Sequence, residues 1–107
     1  MDEKLELGGN ISLSGFKYIP GAEMVVVKKI IGSYARKFSD QLEEYKELSL
    51  HLKEVHKTEN SEKYEVHGKL AYKGKVETSE SIDRNVFVAI DSVLKKLEAI
   101  VLWLVTR

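Results

Sequence analysis

The apolar residues of this chain change period along its length, and that change dictates which elements it can form. Leu5, Leu7, Ile11 and Leu13 recur at every second position, with Gly9 and Gly15 in the same frame. Glu6, Gly8, Asn10, Ser12 and Ser14 fall between them. Period two marks a strand with one face covered, and glycines in it permit a bulge or a break. Pro20-Gly21 then closes the extended segment. From Ala22 to Leu42 the spacing becomes helical: Val27, Ile30, Ile31, Tyr34, Phe38 and Leu42 make one stripe. The β-branched run Val25-Val26-Val27 opposes a helix locally, but the length of the stripe outweighs it.

Beyond the polar connection Glu43-Glu44-Tyr45-Lys46, period two returns. Leu48, Leu50 and Leu52 alternate with Ser49, His51 and Lys53. Lys57 to Glu62 reads as a polar hairpin loop, and Tyr64, Val66, Gly68, Leu70 and Tyr72 as the inner frame of the next strand. Lys73-Gly74 suits a two-residue turn, after which Val76 and Thr78 continue the frame, with Glu77 and Ser79 on the other face. Asp83 or Asn85 is placed to cap a second helix. Its inner stripe is Phe87, Ile90, Leu94, Leu97 and Val101, widened by Val86, Val93 and Ile100.

The expected order is β-α-β-β-β-α. The expected fold is α+β, a four-stranded sheet with two helices packed on one face, because each strand has one apolar side to cover. A chain of 107 residues makes one domain, with a core over residues 5–101 and an apolar tail over 102–107. At 43% hydrophobic and 32% charged residues it has the balance of a globular domain and not of a disordered segment. The absence of cysteine excludes disulfides, thiol catalysis and cysteine metal sites. The acidic start, Asp2-Glu3, does not resemble a signal peptide, and the apolar run Ala99 to Val105 is far short of a membrane span. A cytoplasmic protein is expected.

Seventeen basic residues balance seventeen acidic ones, yet the charges are segregated. Met24 to Ser39 carries Lys28, Lys29, Arg36 and Lys37 and no acid. Steps of about 100° put Lys29 and Arg36 nearly in line, opposite the apolar stripe, with Lys28 and Lys37 at their flanks. Arg84, Lys95 and Lys96 lie away from the core stripe of the second helix. Between Gln41 and Asp83, ten acids outnumber seven bases, so the helical layer is the basic one. Point charges so arranged suit a phosphate backbone held without reading its sequence.

This order and these residues resemble the ribosome hibernation-promoting factor and ribosome-associated translation inhibitor family. The similar pieces are Ile11-Ser12-Leu13-Ser14-Gly15-Phe16, Leu48-Ser49-Leu50-His51-Leu52 and Tyr64-Glu65-Val66-His67-Gly68-Lys69-Leu70. The most specific is Asn85-Val86-Phe87-Val88-Ala89-Ile90-Asp91 followed by Val93-Leu94-Lys95-Lys96-Leu97, which resembles the family's closing helix. The resemblance implies a fold like a double-stranded-RNA-binding domain with an added first strand. It implies binding in the messenger- and transfer-RNA channel of the small ribosomal subunit, and a block on translation. It also implies rRNA contacts from Lys28, Lys29, Arg36 and Lys37 on the first helix, Lys95 and Lys96 on the second, and Arg84 just before it. The likeness is to the family's short form, without the dimerising extension of long members. The expected partner is therefore small-subunit rRNA, with no DNA, no membrane and at most a weak homodimer.

Other chemistries find little support. His51 and His67 both point to the wet face and sit opposite each other if the loop centres near Asn60, with Glu65 beside them. A histidine pair is half a metal site, but exposed histidines are commonly plain surface residues, so neither metal nor cofactor is assigned. His56, at the loop, adds little. No serine lies in a strained elbow, Gly8-Gly9 lacks the rest of a phosphate loop, and Glu43-Glu44 sits in a solvated connection. Tyr64 and Tyr72 fall in the buried frame rather than on a base-stacking platform. An enzyme is not expected. Two alternatives to ribosome inhibition stand: a general binder of structured RNA, and a module that self-associates through the wet sheet face or the Val101–Val105 tail.

Overall fold

The computed structural model describes residues 4–58 and 61–105, with side chains over 5–53 and 62–102. Its elements are β1 (Lys4–Leu7), β2 (Ile11–Ser14), α1 (Gly21–Gln41), β3 (Tyr45–Thr58), β4 (Ser61–Tyr72), β5 (Lys75–Asp83) and α2 (Val86–Val105). The fold is α+β: two helices and a five-stranded mixed sheet in the order β1-β2-β3-β4-β5. Only β2 and β3 run parallel, and α1 is the crossover that joins them.

Five strands rather than four is the main correction. The alternation from Leu5 to Leu13 is continuous in sequence but is broken in space between Leu7 and Ile11. Gly9 and Asn10 both take positive φ, 77° and 59°, so the chain reverses and pairs β1 with β2 as a hairpin. The Tyr45 hydroxyl reaches the carbonyls of Gly9 and Asn10 and ties this turn to the start of β3. Tyr45 thus opens a strand that was expected to begin after a polar connection. The loop read over Lys57 to Glu62 is shorter too, since β3 runs to Thr58 and β4 starts at Ser61.

Register explains the core. Ile11, Leu48 and Leu70 align in one row, Leu13, Leu50 and Gly68 in the next, Leu52 and Val66 in a third. All lie on one face, and α1 and α2 cover it. Val27, Ile31, Ala35 and Phe38 of α1 join Ala89, Ile90, Val93, Leu94, Leu97 and Val101 of α2 in a single buried cluster with the strands. Each large side chain so buried contributes about 1.5–3 kcal/mol. Gly68 is where α2 comes down on the sheet: a Cβ there would stand 2.4 Å from Val93 Cγ1.

The Lys73-Gly74 turn pairs Tyr72 with Lys75 and therefore Ala71 with Val76. Val76 and Thr78 consequently lie on the open face, not in the inner frame. Val76 is exposed, while Ser79 turns inward and donates to the Val93 carbonyl at 2.8 Å. Tyr72 is buried and Tyr64 packs against the core, in keeping with the inner frame. At the start of α2 the Asn85 side chain accepts from the amides of Phe87 and Val88, and Asp83 accepts from the Asn85 amide. Asn85 is thus the cap. No described helix is long and apolar enough to cross a membrane. In the tail over 102–107 the backbone continues α2 to Val105, while the side chains of 103–107, like that of His56, lie outside the described residues.

Candidate nucleic-acid interface

The outward side of α1 follows from its inward side. With Val27, Ile31, Ala35 and Phe38 packed on the sheet, helical geometry turns Lys29 and Arg36 to the opposite side, in line with Ser33. Lys28, Lys29 and Arg36 are all exposed. Asp40 stands one turn beyond Arg36, yet no carboxylate pairs with Lys28, Lys29 or Arg36 among the described residues. Arg84 is likewise exposed and unpaired there, in the turn between β5 and α2.

The other three predicted contacts are already engaged with the protein. Lys37 reaches across to Glu98 of α2 at 3.4 Å and lies over the Tyr34 ring, 5.1 Å from its centroid. Lys95 pairs with Asp91 one turn back on its own helix, at 3.1 Å. Lys96 donates to the Glu80 carbonyl at 2.7 Å and so leans toward β5. These are exposed contacts, worth at most about 1 kcal/mol each, so a phosphate can compete for the ammonium groups. The seven cations therefore divide into a free set on α1 with Arg84 and a tethered set between the helices and β5.

The seam between the helices carries its own polar link. Tyr34 donates to Asp91 at 3.2 Å. Burial first, then the Asp91 charge and the hydrogen bond to it, push the Tyr34 phenol up to about 12. Tyr34 is thus neutral throughout the physiological range and holds α1 and α2 in a fixed relation. That relation sets the spacing of their outward cations.

The uncovered sheet face is a second polar surface. Ser12, Ser49, Lys69 and Thr78 form one row across it, and Ser14, His51, His67 and Glu80 the next. Together they line a shallow groove of about 850 Å³. Ser14 Oγ and His51 Nδ1 are hydrogen-bonded at 2.9 Å. His67 lies between two carboxylates, with Nε2 on Glu65 and Nδ1 3.4 Å from Glu80 Oε2. The histidine pairing expected from the sequence is present, His51 directly opposite His67. Glu80 was not singled out, although the Lys73-Gly74 turn implies it: counting back from Tyr72 and on from Lys75 puts His67 against Glu80.

No family model matches the chain, and no curated protein is significantly similar to it.

Proposed function

We propose that the chain is a ribosome-associated, RNA-binding translation inhibitor that acts by occlusion on the small subunit, in the cytoplasm and without catalysis. One observation carries the reading. Three exposed cations of α1, Lys29 and Arg36 on its outward side and Lys28 at their flank, have no carboxylate partner among the described residues, in a stretch of sequence that contains no acid. Surface helices ordinarily mix signs and pair them within a turn. A sixteen-residue helical stretch that does neither for these three cations suits a phosphate backbone. Support also comes from the order of elements after β1, from the two helices lying side by side on one face, and from the resemblance of the Asn85–Leu97 segment to the family's closing helix. In this reading the fold is the double-stranded-RNA-binding type with the β1–β2 hairpin added at its β3 edge.

The mechanism asks little chemistry of the protein. A rigid wedge is held by ammonium and guanidinium groups to rRNA phosphates and fills a channel that messenger or transfer RNA needs. Lys28, Lys29, Arg36 and Arg84 make the first contacts. Lys37, Lys95 and Lys96 exchange their protein partners for phosphates as the surfaces close.

The test is the double variant K29E/R36E. It is expected to lose co-sedimentation with small subunits while keeping the far-ultraviolet circular dichroism of the parent. Removing two phosphate contacts should also lower the salt slope of binding by about two. Undiminished co-sedimentation overturns the basic-helix account. Equal affinity of the parent for a plain RNA duplex and for small subunits leaves a general structured-RNA binder instead.

A further inference from the structure

We propose that the open sheet face holds a divalent transition metal, zinc foremost, bound by His67 of β4 and Glu80 of β5, with Glu65 as the carboxylate that orients the imidazole. The site lies on the face opposite the helices and is independent of the RNA reading. Glu65, His67 and Glu80 each offer a ligand atom, and these atoms all lie within 4.8 Å of one another. Two residues on one strand at spacing two share a face, and the β4–β5 register brings the third beside them.

The two contacts of His67 differ in kind. Nε2 meets Glu65 in a close hydrogen bond, whereas Nδ1 and Glu80 Oε2 stand 3.4 Å apart. The second separation is wide for a charge-assisted hydrogen bond. It is the edge of a coordination tetrahedron: two donors each about 2.05 Å from zinc at the tetrahedral angle stand about 3.4 Å apart. A metal between Nδ1 and Oε2 then leaves Nε2–H donating to Glu65. Metal-bound imidazoles are characteristically supported in that way, one nitrogen on the ion and the other on a carboxylate. Imidazole with carboxylate selects zinc and its neighbours over calcium or magnesium.

The remaining positions open onto the groove, where solvent completes the coordination. His51, directly across from His67, brings a second imidazole to the same rim. Glu80 is exposed on the edge strand, and the ring of His67 is 42% exposed, so an ion reaches the pair without disturbing the core.

The experiment titrates the tag-free full chain with zinc chloride by calorimetry and with cobalt chloride by visible absorption. One ion per chain is expected, with cobalt giving the intense bands of a low-coordinate site. H67A and E80Q should each weaken zinc binding by more than a hundredfold. E65Q should weaken it by about 10- to 100-fold, as loss of an orienting carboxylate does. Zinc affinity unchanged in E80Q overturns the proposal, as does the absence of both heat and cobalt absorption in the parent. E80Q sits at an exposed edge position, so its reading stands even if H67A perturbs the strand. R36E, on the helical side, should bind zinc as the parent does, which separates this site from the RNA surface.

Discussion

Tyr34 shows how much a single side chain does at the helix seam. It is packed against the core, tilted against Phe38, covered by Lys37 and hydrogen-bonded to Asp91. Its phenol is pushed from 10.0 up to about 12, by burial first and by Asp91 second. The folded chain therefore holds this proton more tightly than the unfolded chain. The resulting stability is fully present below pH 10 and is lost as the pH climbs from 10 toward 12. A spectrophotometric titration of tyrosinate should show one phenol ionising near the upper value. Y34F should abolish that step and D91N should bring it down toward the ordinary range. A parent protein whose every tyrosine titrates at 10 would show that the seam is open to water. Gly68 works in the opposite sense, by having no side chain. Its bare Cα lets Val93 and Leu97 of α2 settle on β4, a contact that a methyl group would push apart.

At the scale of elements, the cap of α2 is the most exposed determinant of where that helix begins. Asn85 satisfies two amides that no helical carbonyl can reach, and Asp83 in turn fixes Asn85. N85A should cost about 1 kcal/mol, seen as a lower urea midpoint with an unchanged slope. A change in slope would mean that more than the cap had been lost. Both helices, the cap and the strands β3 to β5 were legible in the sequence, because their periods are long and the β4–β5 turn carries glycine. The β1–β2 hairpin was not, because its turn occupies an odd number of positions. Gly8-Gly9-Asn10 therefore leaves the apolar residues on both sides in one frame, and alternation alone cannot tell a bend from a bulge. The misplacement of Val76 has the same root, since the phase of β5 is set by the turn and not by its own residues. Of the cations, exposure was legible and pairing was not. Lys37 meets Glu98 only because α1 and α2 lie side by side, a fact no local pattern contains.

Considered whole, the molecule separates two kinds of polar surface with one core. The helical side presents lysine and arginine with few acids among them, while the sheet side presents histidine, serine and glutamate around a groove. Net neutrality is thus an average over unlike faces, and association with a polyanion is governed by the face that meets it. Val101 is fully buried, so the core reaches at least that far into the C-terminal run. A truncation meant to probe self-association through the tail has to begin after it.

The parallel pairing of β2 with β3 has a temporal consequence. Ile11 and Leu13 find their sheet partners 37 positions downstream, with all of α1 intervening, whereas β3, β4 and β5 are a meander of neighbours. Closing the long span is the costlier event, so refolding should assemble the meander first and seat the leading hairpin last. Pulse-labelled amide exchange is expected to protect β4 and β5 before β2, and simultaneous protection would contradict this order. During synthesis the same logic makes Ile11 and Leu13 wait for their β3 partners until 37 further residues have been added.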